Sequence, residues 1–313
     1  MQLTDRFKKV NKQKIRKVLF GMKLTDGLVF KTLIYGLLII IAFVYVYPLL
    51  YMFSYSIKSL EDLLNPMVNQ VPTGFYFKNY QDAFKTLKYF ETMSVSLLVT
   101  LVPAILQTVV ASLVGYGFAR FEFPFKKTLM ALVLATYIIP PQVTMIPRYV
   151  LFNDLGILQN VMSIILPASL GQGLNSAIFI LIFYQFYKMI PKALDEAAQI
   201  DGAGKFYTYF KIAIPLSVPS FITTFLFSFV WYWNETYIST LFLGSGAETL
   251  QMRLQNFVSA YNSIMGGSGS VDYANEAIRM SATLLIILPM LLVYFVLQRW
   301  FIEGVDKAGI TGE

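Results

Sequence analysis

Six long apolar runs separated by polar segments dominate the chain, at about 33–53, 93–118, 128–146, 161–187, 216–237 and 280–298. Each reaches or approaches the roughly 20 residues that cross a hydrocarbon core of about 30 Å, so each predicts a membrane-spanning helix. Prolines and glycines qualify this picture. Pro48 falls in the outer part of the first run, where it predicts a kink. The third run closes on "IIPPQVTMIP", whose prolines cannot all sit in one regular helix, and a break is expected there. Pro167, Gly171 and Gly173 interrupt the fourth run. That run reads either as one long kinked span or as a half-helix, a break and a full helix. Broken helices at membrane depth are tolerated where they face protein or a water-filled cavity.

The polar segments differ in kind. The first loop, with Lys58, Glu61, Asp62 and "NQVPTGFYFKNYQDAF", has room for a short helix outside the membrane. A polar stretch of about 35 residues precedes the sixth run. Between the fourth and fifth runs lies "LDEAAQIDGAGKFYTYFKIAIPLSVP", polar and Gly-rich at its start. Pro191 suits a first helical position, Asp195 and Glu196 fall where the helix dipole favours negative charge, and Gly202 and Gly204 supply a stop. The expected helix has about ten residues and is about 15 Å long, too short to cross a bilayer. Leu194, Ala198 and Asp201 share one face, and Ala193, Ala197 and Ile200 the adjacent one. Spacing leaves two readings open: a helix lying on the headgroups, or one whose small central residues fit a protein groove.

Composition and charge narrow the class. The chain is 56% hydrophobic and only 14% charged, the mix of a membrane protein and not of a soluble domain. It has no Cys and no His, which excludes a disulfide framework, a thiolate or imidazole metal site, and Cys or His catalysis. The net charge of +7 does not indicate nucleic acid, because nine of the basic residues precede the first run, the pattern of a cytoplasmic flank. With the N-terminus inside, inner segments hold eighteen Lys and Arg against seven outside, so both termini are expected in the cytoplasm. The first run is long, starts beyond residue 30 and lacks an A-x-A-like site, so it reads as a span and not as a cleaved signal peptide. "GAGKF" fails as a phosphate loop, since Gln199 and Phe206 stand where Gly and Ser or Thr are needed.

Glu196-Ala197-Ala198, Gly202, Ile212, Ile214 and Pro215 resemble the E-A-A-x3-G-x9-I-x-L-P pattern of the membrane subunits of binding-protein-dependent ABC importers, with Ile in place of Leu. Further stretches, "SIKSLEDLL", "FYFKNYQDAF", "GYGFARFEFPFKK", "FYQFYKMIPKALDEAAQIDGAG", "WYWNET" and "LQRWFIEGVDKAGITG", extend the resemblance to the carbohydrate branch, in particular to the smaller permease of the maltose-transporter type. The resemblance implies an all-α polytopic membrane protein of the type I importer fold. It would have a cytoplasmic N-terminal segment at 1–32, a six-span domain at 33–298 with a coupling loop at about 188–215, and a cytoplasmic tail at 299–313.

It also implies a bacterial plasma-membrane location, a second homologous permease, two cytoplasmic ATPase subunits that bind the ATP and Mg, and an extracytoplasmic sugar-binding protein. No cofactor, metal or catalytic residue is expected in this chain. The short helix becomes a coupling helix seated in an ATPase, with Asp195, Glu196, Ala197, Ala198, Asp201, Gly202, Ala203 and Gly204 at the docking surface. The tail, with Gly304 and Gly309, reads either as a frayed end or as a segment reaching between the ATPase subunits.

Sugars are held by aromatic faces and by amide or carboxylate groups. Candidates for the pathway are Gln172 and Asn175 beside the interruption of the fourth run, and Tyr232, Trp233, Asn234 and Glu235, next to Trp231, at the outer end of the fifth. The opposing readings are an aromatic belt for Trp and Tyr and a helix-helix hydrogen bond for Asn175. A secondary transporter is the rival class. It would place ion-coupling charges within its spans and repeat its halves, whereas charge here is confined to span boundaries and no repeat is evident.

Overall fold

The structure is a computed structural model and describes residues 27–265 and 275–307, with side chains to residue 299. The basic segment before residue 27, the "GGSGSVDY" part of the long polar stretch and the tail end with Gly309 lie outside the described residues. Among the described residues the structure is helical and has no strands. The chain divides into two compact units, up to Asn79 and from Tyr80 onward.

The first unit holds helix α1 (Leu28–Ser56), helix α2 (Leu60–Leu64) and the start of α3 (Lys78–Leu87). α1 runs through Pro48, and no residue of its most apolar stretch is buried, as suits a helix sheathed in lipid. After it the chain folds tightly. Lys58 is buried, its ammonium lying 3.8 Å from the centre of the Tyr55 ring and donating to the carbonyls of Val68 and Asn69. Asn79 Nδ2 donates to the carbonyls of Ser56 and Lys58, at 2.9 and 2.8 Å. Ser59 caps α2, and Asp62 accepts from the amide and hydroxyl of Thr73 at 3.1 and 2.6 Å. The Thr73 hydroxyl holds the Asp62 carboxyl below the usual carboxylate range.

The second unit is built around α4 (Tyr89–Arg120), which packs on α8 (Ser176–Met189), α12 (Val218–Asn234) and α7 (Met162–Ser169). Its buried side is mostly small and polar, with Ser96, Thr100, Ala104, Gln107, Thr108, Ala111, Ser112 and Gly115 beside Val99, Pro103, Tyr116 and Phe118. In lipid, burying apolar surface gives helices no reason to associate, and close backbone approach and hydrogen bonding take over. A Cβ on Gly115 would stand 2.6 Å from Phe183 Cβ and 2.9 Å from the Tyr184 amide, so α4 and α8 touch there through the bare glycine.

The two expected interruptions are both present. α5 (Lys126–Ile138) and α6 (Pro141–Asp154) meet at 97°, with Pro141 opening the second helix and Pro147 accommodated within it. The fourth run takes the broken form: α7 ends at Ser169, Gly171 and Asn175 adopt φ of +72° and +55°, and α8 then begins. By length and composition three helices cross unaided, α1, α4 and α16 (Glu276–Lys307), and up to six spans result if each bent pair counts as one. α8 bends by 70° into α9 (Lys192–Ile200). Lys192, Asp195 and Glu196 make α9 a poor continuation into hydrocarbon, so α7 supplies the remaining apolar length of the fourth span.

Beyond α9 come α10 (Lys205–Thr208), a π-helical turn (Tyr209–Ala213) and α11 (Ile214–Leu216), bent by 75° into α12. α12 ends three residues before the expected limit of the fifth span, and α13 (Tyr237–Leu243), α14 (Leu250–Gln255) and α15 (Phe257–Met265) follow. α16 continues beyond the expected end of the sixth span to Lys307, so the stretch with Gly304 is helical.

Candidate functional site

The polar loop after α8 is shaped by its backbone first. Pro191 stands one position earlier than expected, as the extended residue that turns the chain into α9. At the other end Ala203 N donates to Ala198 O at 2.8 Å and Gly202 N to Gln199 O at 3.0 Å, the paired reversal that ends a helix with a left-handed residue. Gly202 supplies that residue with φ +79°, and no atom lies within 4 Å of where its Cβ would stand. Gly204 is extended and leads into α10.

The two faces of α9 have different tasks. Ala198 is buried, and Asp195, its side chain 18% exposed, lies 3.3 Å from Nε of Arg120 at the end of α4. The same guanidinium donates through Nη2 to Ile190 O at 2.9 Å, so one arginine ties both the elbow and the helix to α4. Glu196, Ala197, Asp201, Gly202 and Gly204 are exposed together with Ile200, and Ala203 is half-buried. The expected docking set thus splits: Asp195 and Ala198 serve the chain's own packing, Ala203 is partly covered, and Glu196, Ala197, Asp201, Gly202 and Gly204 are exposed. A cavity of about 150 Å³ beside Arg120 is lined also by Lys192, Glu196 and Lys205.

A buried cluster fastens the following segment. The Ser112 hydroxyl lies 2.6 Å from the Tyr187 hydroxyl and 3.0 Å from that of Tyr209, and Tyr187 lies 3.1 Å from Ser217 Oγ. α4, α8, the π turn and the start of α12 are joined by four hydroxyls. No pairing signal in the sequence marks Arg120 or these hydroxyls, although Arg120 sits in "GYGFARFEFPFKK".

The second feature is the break between α7 and α8. Its free backbone groups are taken up by side chains: Tyr232 Oη accepts from Leu174 N at 3.1 Å and donates to Gln107 Oε1 at 2.8 Å, while Gln107 Nε2 donates to Leu174 O at 2.5 Å. Gly173 lies against both side chains, and a Cβ there would collide with Gln107 Oε1 and Tyr232 Oη. Arg148 of α6 donates to Gln172 O at 3.2 Å. Of the expected pathway residues, Gln172, Asn175 and Asn234 are exposed, while Tyr232 and Trp233 are buried. Asn234 Nδ2 donates to Val230 O at 2.9 Å, and Glu235 is half-buried, its Oε1 accepting from Ile238 N at 2.7 Å at the start of α13. Gln107 was legible only as a lone amide within an apolar run. Among the described residues no carboxylate group of three or more could hold a metal ion.

The chain has clear relatives. The profile of the family described as "Binding-protein-dependent transport system inner membrane component" matches residues 107–307. The polygalacturonan/rhamnogalacturonan transport system permease protein YtcP of Bacillus subtilis is 30% identical over 289 residues, covering 90% of this chain and 98% of that one. The melibiose/raffinose/stachyose import permease protein MelC of the same organism is 27% identical over 274 residues, covering 87% and 94%. Among solved structures, a chain of a bacterial ABC transporter involved in the import of the acidic polysaccharide alginate superposes with a TM-score of 0.76 at 22% identity, over 87% of this chain and 96% of that one.

Proposed function

The chain belongs to the family of binding-protein-dependent transport system inner membrane components, and from that membership we propose that it forms half of the translocation pathway of an ATP-driven importer of oligosaccharides. A second homologous permease completes the pathway. Two cytoplasmic ATPase subunits bind the ATP and Mg, and an extracytoplasmic binding protein delivers the sugar. Both termini and α9 face the cytoplasm, in line with the Lys and Arg excess on that side.

The observation that carries this reading is the two-sided α9. One face is held by Arg120 and buried through Ala198, and the other presents Glu196, Ala197 and Ile200. Ile200 is 86% exposed, an apolar side chain offered beside a carboxylate. A groove on an ATPase subunit takes that face, with Glu196 in a charge-assisted contact and Ala197 permitting close approach. ATP binding closes the ATPase pair, and α9 carries the movement through Arg120 and the Ser112 cluster into α4, α8 and α12. The spans then switch between inward and outward access. Gln172, Asn175 and Asn234 lie on the pathway side.

The test is uptake of a panel of labelled oligosaccharides by cells with and without this subunit, together with copurification of ATPase subunits. Gly202→Leu is expected to abolish uptake while the variant still inserts in the membrane. Normal uptake by that variant, or a purified complex without ATPase subunits, sinks the reading.

A further inference from the structure

A charged side chain at the level of a broken span is costly unless it faces a water-filled path and finds a partner. Arg148 is in that position. Arg148 stands on α6, the second arm of the bent α5/α6 pair, and bonds the Gln172 carbonyl within the break of the fourth span. Its guanidinium lies 5.8 Å from the centre of the Phe152 ring, a contact that helps to orient it. Among the described residues no carboxylate lies within 4 Å of it, whereas Arg120, Arg253 and Arg279 each have an acidic partner. One hydrogen bond leaves a half-buried guanidinium with several donors to spare. The exposed amide side chains of Gln172 and Asn175 belong to the same break.

A guanidinium held at a break that also carries two exposed amide side chains matches a sugar with a carboxylate, the guanidinium taking the carboxylate and the amides the ring hydroxyls. Resting on the oligosaccharide reading above, we propose that the pathway through this subunit selects acidic, uronate-bearing oligosaccharides, with Arg148 as the residue that recognises the carboxylate. Relatives named for neutral and for acidic sugars share the fold, so the fold alone does not choose between them. A guanidinium at the break with donors to spare favours the acidic ones.

The test uses the importer purified through this chain with its native partners and reconstituted in vesicles. Uptake of labelled tri-galacturonate and tri-mannuronate is compared with that of their methyl esters, which keep the size and lose the charge. Arg148→Gln, which keeps a donor for Gln172 O, is expected to lower the ratio of acid to ester uptake by about tenfold or more, the worth of one charge-assisted contact. Arg148→Lys, which keeps the charge, is expected to retain most of the ratio, and subunit copurification checks assembly of both variants. An unchanged ratio in Arg148→Gln overturns the proposal. So does an equal loss of acid and ester uptake, which assigns Arg148 to the packing of the break or to a carboxylate on the second permease. Wild-type uptake of neutral trisaccharides without uronates overturns the selectivity and leaves the oligosaccharide reading intact. Uptake of no oligosaccharide at all overturns that reading instead.

Discussion

At Gly202 the constraint is a backbone angle and not a lack of room. Its φ is +79° with open space where a Cβ would stand, so a side chain meets strain of about 1–2 kcal/mol before any partner is considered. Asn tolerates this conformation better than other residues. Gly202→Asn is therefore expected to recover much of the uptake that Gly202→Leu loses, measured at equal membrane levels; an Asn variant as defective as Leu points to close approach by the ATPase. A second residue-scale prediction concerns pH. The Asp62 carboxyl is held below its usual range by the Thr73 hydroxyl, so its contribution is present above the unfolded carboxylate pKa of about 3.9 and is lost as pH falls through the lower folded value. Thr73→Val removes that hydroxyl. The loop should then open at a higher pH on acidification, read by faster hydrogen exchange at the residue 73 amide, and an unshifted midpoint counts against the argument.

Among the helices, much was legible where backbone chemistry speaks locally. Three prolines announced the α5/α6 bend, and Pro167 with Gly171 and Gly173 announced the interruption that became the α7/α8 break. Partners far apart in sequence were not legible, because no local pattern distinguishes Arg120 from a snorkelling interface arginine or Gln107 from a stray polar residue. Tyr232 and Trp233 show the same limit. Expected near sugar or in an aromatic belt, they are buried, and Tyr232 satisfies the Leu174 amide at the break. The element these contacts build yields its own prediction. Tyr209→Phe deletes one link of the Ser112 cluster, a loss of about 1 kcal/mol that leaves the Ser112–Tyr187 contact in place. The complex should assemble normally yet hydrolyse more ATP per sugar imported, since the loop after α9 is then less firmly joined to α4. An unchanged ratio of ATP to sugar argues that the loop transmits without that link. Gly115→Ala tests the neighbouring helix contact, where overpacking of about 1–3 kcal/mol should lower the melting temperature of the purified complex.

For the whole molecule, sidedness rests on charge counting, while the spans themselves follow from apolar length. The bent pairs decide that count: the same helices give three crossings, or up to six when each pair is one span. An odd change in the number of crossings would move the loop containing α9 to the opposite face from the N-terminus. The absence of cysteine makes this directly measurable, since any single introduced cysteine is the only thiol in the chain. Val71 is 80% exposed in the first loop and Ile200 is 86% exposed on α9, so neither position is shielded within the chain. With six crossings, Val71→Cys should react with a membrane-impermeant maleimide added to intact cells, or to spheroplasts where an outer membrane is present. Ile200→Cys should react only in inverted vesicles, and less when ATPase subunits are bound than after they are stripped. Labelling of Ile200→Cys from outside would reverse the topology and remove α9 from any ATPase. Labelling from inside with no protection by the ATPases would keep the topology but leave the exposed face of α9 without its proposed partner.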